Sequence, residues 1–300
     1  MPLTKFASSK AIQNKNLSMI NIGQYATLQV VKKLSFGIYL DAGPFGEVLM
    51  PIRYVPKEVE PGQDLEVFLY TDSEDRVIAT TEKPYAVAGD FAHLKVVDVQ
   101  AQGAFMDWGL PKDLFVPFKG QAEKMEMGKS YVVKIYLDET SDRMVASSKL
   151  NNFLREENED LEVGQEVSLL VFRKTNLGYK VVIENKYSGV LFANEVFQPM
   201  HIGKRLTGYV KKIREDGKID ISLQKAGYQN RIPDAVETVL DSIKEHKGLL
   251  PLTDDSSPEE IYRVLKMSKK AFKKAVGSLY KQQLIKLGDE GISLISQTLR

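Results

Sequence analysis

The residues best suited to chemistry are aromatic side chains set beside glycines. They occur as Ser35-Phe36-Gly37-Ile38-Tyr39-Leu40-Asp41 and as Gln102-Gly103-Ala104-Phe105-Met106-Asp107-Trp108, with a weaker third version, Asn176-Leu177-Gly178-Tyr179-Lys180-Val181. A glycine between aromatic neighbours on a strand marks a bulge or a tight bend. Alternation along the strand can turn a ring outward, where an unpaired base stacks on it for about 1–3 kcal/mol. A purely structural reading stands beside this one: Phe105 also suits a barrel core. Trp108, the only tryptophan, suits either an extra stacking surface or a core or domain interface.

Other chemistries lack their residues. The chain has no cysteine, and its three histidines, His93, His201 and His246, are scattered. Thiolate zinc sites, disulfides, histidine-rich metal sites and serine triads are thereby disfavoured. Asp72, Asp75, Asp138 and Asp142 look paired, but they stand in hairpin turns where aspartate is expected on structural grounds. No catalytic residue, cofactor or metal is therefore assigned, and an enzyme is the weakest class. No apolar run approaches about 20 residues, so the expectation is a soluble, cytoplasmic protein without a membrane partner.

With 41 basic and 40 acidic residues, the net charge of +1 gives no whole-chain argument for nucleic acid. Locally the balance shifts. Between positions 161 and 226, eleven basic residues face seven acidic ones. Lys211 and Lys212 in this stretch, with Lys218, are candidate phosphate contacts; a merely solvated surface is the alternative.

The positioning elements are written as a repeat. Thirty-nine residues separate Gly23 from Gly62, Gly89 from Gly128 and Gly164 from Gly203, which implies three copies of a unit of roughly 65 residues. Each second glycine opens an alternating run such as Leu65-Glu66-Val67-Phe68-Leu69-Tyr70 or Tyr131-Val132-Val133-Lys134-Ile135-Tyr136. Each unit then closes with a polar turn and a short apolar strand, as in Asp72 to Arg76 followed by Val77-Ile78-Ala79-Thr80. Five short strands without a long helix predict a small closed barrel, which hides its sheet edges.

After Gly227 the period becomes helical. Ala235, Val236, Val239, Leu240 and Ile243 share a face between Pro233 and Lys247. Ser257-Pro258-Glu259-Glu260 carries a cap, a first-turn proline and a capping-box glutamate for a second helix running through Met267. Ser268 caps a third helix with a buried stripe of Phe272, Val276 and Leu279 and with Lys269, Lys270, Lys273 and Lys274 elsewhere on its surface. Leu284 to Leu287 and Ile292 to Ile295 read as a hairpin. Three helices and a hairpin resemble a winged helix, whose third helix enters a nucleic-acid groove. Its first turns carry no arginine, asparagine or glutamine to read base edges.

The glycine-led strands, the Phe-Gly-x-Tyr stretch and the closing Asp…Arg-Val-x-Ala-Thr run resemble the S1 RNA-binding domain, an OB-fold barrel, over about 19–224. The resemblance implies that the two aromatics and the later cation face single-stranded RNA. Unit one keeps Phe36, Tyr39 and Arg76. Unit two keeps Phe105 and Arg143 but has Gln102 at the first aromatic position. Unit three has Leu177 there, Tyr179 displaced by one residue, and Lys218. The family's loop histidine falls on Met50-Pro51 and Val116-Pro117. Three such barrels before a winged helix, with the stretches 110–117 and 209–222, are similar to the bacterial conserved virulence factor B family. That resemblance implies an RNA-binding regulator.

The expected organisation is mostly β with an α/β C-terminal part. It comprises a tail over 1–18 with Met19 opening the folded part, barrels over 19–82, 83–150 and 161–226, an acidic linker or short exposed helix over 151–160, and a winged helix over 227–300. Single-stranded RNA is the expected partner. The rivals are a transcription regulator holding DNA through the winged helix, with Lys269, Lys270, Lys273 and Lys274 on phosphate, and a ribosome- or polymerase-associated scaffold.

Overall fold

Glycines with left-handed backbone begin and end the pairing on which each barrel is built. In the computed structural model, which describes residues 20–155, 157–196, 198–225 and 232–295, β1 (Tyr25–Leu34) is followed by β2 (Gly37–Asp41), β3 (Glu47–Pro51), β4 (Asp64–Thr71) and β5 (Val77–Thr80). The strands close in the order β1-β2-β3-β5-β4. At one end of the β1–β4 pair the Gly23 N–H donates to the Leu69 carbonyl at 2.7 Å; at the other the Gly62 N–H donates to the Val30 carbonyl at 2.7 Å. Ala26, Leu28, Val30, Ile38, Leu40, Met50, Val67 and Leu69 fill the interior, as the period of two requires.

The second barrel repeats this with β6 (Phe91–Gln100), β7 (Gly103–Asp107), β8 (Leu114–Pro117), β9 (Ser130–Asp138) and β10 (Arg143–Ser147). The third uses β11 (Glu166–Thr175), β12 (Gly178–Ile183), β13 (Tyr187–Phe192), β14 (Arg205–Ile213) and β15 (Ile219–Ser222). The corresponding bonds recur: Gly89 to Ile135 and Gly128 to Val96 at 2.8 Å, Gly164 to Val210 and Gly203 to Val171 at 2.7 Å. The six glycines have φ between 83° and 96°. The 39-residue interval is thus the length of chain between the two ends of one strand pair.

The helical part contains α1 (Ile232–Glu245), β16 (Leu249–Leu250), α2 (Pro258–Leu265), α3 (Lys269–Lys281), β17 (Ile285–Gly288) and β18 (Gly291–Leu294). Ser257 accepts from the Glu260 N–H at 3.2 Å and the Glu260 carboxylate accepts from the Ser257 N–H at 2.9 Å, so the capping box is formed. Phe272, Val276 and Leu279 enter the core with Val239, Ile243, Ile261 and Leu265. The hairpin has a third strand, β16, paired to β18, which two residues are too few to announce. The second helix stops at Leu265 because Lys266 takes a left-handed conformation, φ 54°. No helix among the described residues is long and apolar enough to cross a membrane.

The chain divides after Ser148 into two compact units. In the first, Phe68 and Tyr70 on the outer side of β4 are also buried, and they join the core of the second barrel. Trp108 fills this shared core. It is 2% exposed, 5.9 Å edge-on from Phe68, and donates its indole N–H to the Lys112 carbonyl at 2.7 Å. That overturns its reading as a stacking surface. The sequence signal was the unbroken Val67-Phe68-Leu69-Tyr70 run, typical of a strand buried on both faces.

The stretch 151–160 begins in a short 3-10 turn, Leu150–Asn152, and its described remainder is fastened rather than free. Arg155 bridges to Tyr187, and Asp160 accepts from Lys186 at 2.7 Å and from the Tyr187 hydroxyl at 2.5 Å, which fastens it to the third barrel. Glu156, the tail expected over 1–18, Met19 and Gly227 lie outside the described residues.

Two alanine substitutions separate the causes of glycine. A Cβ at Gly128 meets nothing within 4 Å, so Gly128→Ala carries only the left-handed penalty, about 1–2 kcal/mol. A Cβ at Gly103 would overlap the Val116 carbonyl and the Phe115 ring, so Gly103→Ala is expected to cost about 3 kcal/mol. Urea titration followed by Trp108 fluorescence, which reports this barrel, should rank them in that order.

Candidate nucleic-acid interface

The outward face of the first barrel is set by a bulge. Pairing of β1 with β2 shifts between Val30 and Lys32, leaving Val31 as the extra residue. Val30 therefore ends the inward series, and Lys32 lands beside Tyr39. At Gly37 any Cβ would run into the Met50 carbonyl, which lets β2 and β3 approach closely and fixes Tyr39 opposite Leu49. Phe36 is 52% exposed and lies edge-on to Tyr39 with centroids 6.4 Å apart. The Lys32 ammonium stands 4.5 Å from the Tyr39 ring centroid and pairs with Glu47. An exposed ring, a half-buried one and a cation over the second form a small stacking platform.

Arg76 is exposed, yet its guanidinium is committed to its own turn. It forks onto Asp72 at 2.8 and 2.7 Å and pairs with Glu74 at 2.9 Å. Burial pushes the Asp72 carboxyl up, but hydrogen bonds from the Arg76 side chain and from the Arg76 and Glu74 N–H groups outweigh it and hold it below the ordinary value.

The register relates the three barrels residue by residue. Lys32, Tyr39 and Leu49 occupy the row taken by Asp98, Phe105 and Phe115 in the second barrel and by Arg173, Lys180 and Val190 in the third. Sequence reasoning missed Lys32, Asp98 and Arg173. The usable signal was their common place five residues before Gly37, Gly103 and Gly178, hidden because a bulge breaks the alternation.

The same register corrects Tyr179. It stands at the position of Ile38 and Ala104, which point inward, and its ring packs against the third barrel's core. The outward residue is Lys180. No ring replaces it: Leu177, at the position of Phe36, is 68% exposed. Of the other predicted cations in this barrel, Lys211 is held by Glu195 at 2.5 Å and Lys218 by Asp216 at 2.6 Å. Arg173, Lys180 and Lys212 make no ion pair among the described residues.

In the second barrel Phe105 and Phe115 are half-buried, with ring centroids 5.2 Å apart. Arg143 reaches across to Asp75 in the turn of the first barrel, and Lys112 lies 3.5 Å from the same carboxylate. In the winged helix the four predicted lysines separate. Lys269 donates to the Ser256 carbonyl at 2.8 Å, so it staples α3 and is not a free phosphate contact; Lys273 pairs with Asp254 at 2.9 Å. Lys270 and Lys274 are exposed without an ion pair among the described residues.

Residues 22–82 match the S1 domain and residues 237–294 the CvfB-like winged helix domain. Barrels of S1 type followed by a winged helix define a multidomain protein built from nucleic-acid-binding modules. The chain is 30% identical to the uncharacterized protein YitL of Bacillus subtilis, over 93% of this chain and 95% of that protein. It is 26% identical to conserved virulence factor B of Staphylococcus epidermidis, over 91% and 94%. A crystal structure of a multidomain protein with nucleic acid binding domains from Streptococcus pneumoniae covers 92% of this chain and 99% of its own, at 22% identity and a TM-score of 0.41. The chain belongs to the conserved virulence factor B family.

The Asp75 clamp has a pH signature. The hydrogen bond from Arg143 comes first among the causes that lower the Asp75 carboxyl below its ordinary value of 3.8. Its contribution is complete above that value and is lost as pH falls through the lower, folded-state value. Asp75→Asn should therefore lower stability at neutral pH while flattening the acid limb of the Trp108 unfolding midpoint. An unchanged acid limb would place the acid sensitivity elsewhere.

Proposed function

We propose that this chain is an RNA-binding regulator that holds single-stranded RNA through its barrels. The observation that carries the reading is the exposed Phe36 ring beside Tyr39, with Lys32 over the Tyr39 ring. A flat, exposed ring beside a second ring and a cation suits unpaired nucleotides, since a duplex keeps its bases stacked inside. Arg173, Lys180 and Lys212 in the third barrel suit the backbone of the same strand. Each contact alone is weak, and covalent linkage makes the second one intramolecular.

The test is anisotropy titration of a labelled U-rich oligomer. Phe36→Ala and Tyr39→Ala should each weaken binding by about 1–3 kcal/mol. Wild-type affinity in both would remove these rings from the site. Replacing Arg173, Lys180 or Lys212 should instead lower the slope of log K against log salt by about 0.7 for each phosphate that is no longer neutralised. The second reading, duplex DNA held by the winged helix, draws on the exposed Lys270 and Lys274. Duplex binding that survives Phe36→Ala but disappears when both lysines become alanine would favour it.

A further inference from the structure

We propose that the outward face of the second barrel is a guanine-selective pocket for one base of the bound strand. The proposal rests on the reading of the chain as a single-strand binder and adds a specificity which that reading does not contain.

Across β6, β7, β8 and β10 the Cα partners run Asp98, Phe105, Phe115, Val145. The homologous rows begin Lys32, Tyr39, Leu49 and Arg173, Lys180, Val190. Among the three rows, the second barrel's alone begins with an acid and alone holds two rings as partners. In the first barrel the residue at the head of the row reaches over its neighbouring ring, as the Lys32 ammonium does over Tyr39. The same position here is Asp98, paired with Phe105, and both residues line one groove. The groove over this row has a volume of about 470 Å³, within the range of small-molecule sites and enough for a nucleoside.

The groove offers phosphate no uncommitted cation. Its two cations are engaged: Arg143 by Asp75, and Lys112 by the Asp72 carbonyl at 2.5 Å and by Asp75. Asp98 and Asp113, which also line the groove, have no ion pair among the described residues. Burial first, then the charges of Asp107 and Asp98, push the Asp113 carboxyl up, as carboxylates do when crowded without a counter-charge.

Asp98 is also held in place. Its Oδ1 accepts from the Val99 N–H at 2.8 Å, and its Oδ2 from Gln100 Nε2 at 2.7 Å, while Gln100 Oε1 accepts from Gln102 Nε2 at 2.9 Å. Each carboxylate oxygen keeps a second acceptor site. A fixed pair of acceptors beside an aromatic floor complements a flat ring presenting two adjacent N–H donors. Among the RNA bases guanine alone does so, through N1–H and the 2-amino group. Adenine, cytosine and uracil offer a single N–H there, beside a lone pair or a C–H group, so the second acceptor goes unmatched.

The experiment titrates the full chain with labelled nine-uridine oligomers carrying guanine, inosine or adenine at the centre. Guanine should bind about tenfold more tightly than adenine. Inosine, which lacks the 2-amino group, should lose most of that gain. Asp98→Asn should erase the difference while leaving the all-uridine oligomer bound at least as well, with Trp108 fluorescence confirming the fold; if that variant does not fold, the three wild-type affinities decide. Equal affinity for guanine and adenine, with the all-uridine oligomer still bound, overturns the pocket but not the single-strand reading. Failure to bind any of the oligomers overturns both. Displacement by an arginine amide that depends on Asp98 but leaves oligomer binding untouched would assign the groove to a cationic side chain and overturn the guanine pocket.

Discussion

Two backbone hydrogen bonds per barrel, given by glycine N–H groups at opposite ends of one strand pair, are the constraint from which the rest follows. They hold β1 to β4 through Gly23 and Gly62, and the equivalent strands through Gly89 with Gly128 and Gly164 with Gly203. Each barrel must bring together strands separated by two others, and the entropy of closing that loop opposes it. Fixing both ends in one register, with glycines at φ between 83° and 96°, leaves little freedom to slip. A slip of one residue would turn Leu28 and Val30 out to water. The Gly62 N–H also lands on the Val30 carbonyl, the residue at which the first strand bulges. The clamp and the bulge are one structure, and the bulge decides which side chain stands beside the outward ring.

This explains why the barrels keep one scaffold while their faces diverge. The clamps and the close approach at Gly37, Gly103 and Gly178 involve backbone atoms, so they place no demand on the side chains between them. At the head of the outward row the chain carries Lys32, Asp98 and Arg173, and beside them Tyr39, Phe105 and Lys180. The first face is aromatic with a cation, the second aromatic with a carboxylate, the third cationic without an outward ring in β12. The closing turn diverges as well. Asp72 caps the first turn, whereas Arg214 stands at that place in the third barrel and pairs with Asp220 at 2.7 Å. A net charge of +1 conceals this distribution.

Much of the architecture was legible because it is written in residues with narrow conformational meaning. The glycine interval gave three barrels, and Ser257 with Glu260 gave the start of α2. The site was less legible. Phe36 and Tyr39 lie before and within β2, where glycine and alternation locate them. Tyr179 was misplaced because alternation alone cannot say which side of a bulge is outward; only the pairing of Lys174 with Tyr179 and of Arg173 with Lys180 does so. Trp108 was ambiguous because its burial depends on Phe68, 40 residues earlier and in another barrel. The engagement of Arg143 by Asp75 is equally non-local. A pattern within one unit cannot reveal that a neighbouring turn has taken its cation.

That ion pair bears on how tandem modules acquire different tasks. Had Arg143 remained free, the second face would combine rings with a cation, much like the first. Docking the first barrel's turn against it engages the guanidinium and adds the Asp75 carboxylate to a wall that already has Asp98 and Asp113. The same docking buries Phe68, Tyr70 and Trp108, so packing between the barrels holds the charge arrangement in place. Stability of the pair and the electrostatic character of the second face therefore share one set of interactions. A change that loosens the packing also returns a cation to the groove. Selectivity for what the groove accepts is thus tied to the barrel–barrel core rather than to the groove's own side chains alone.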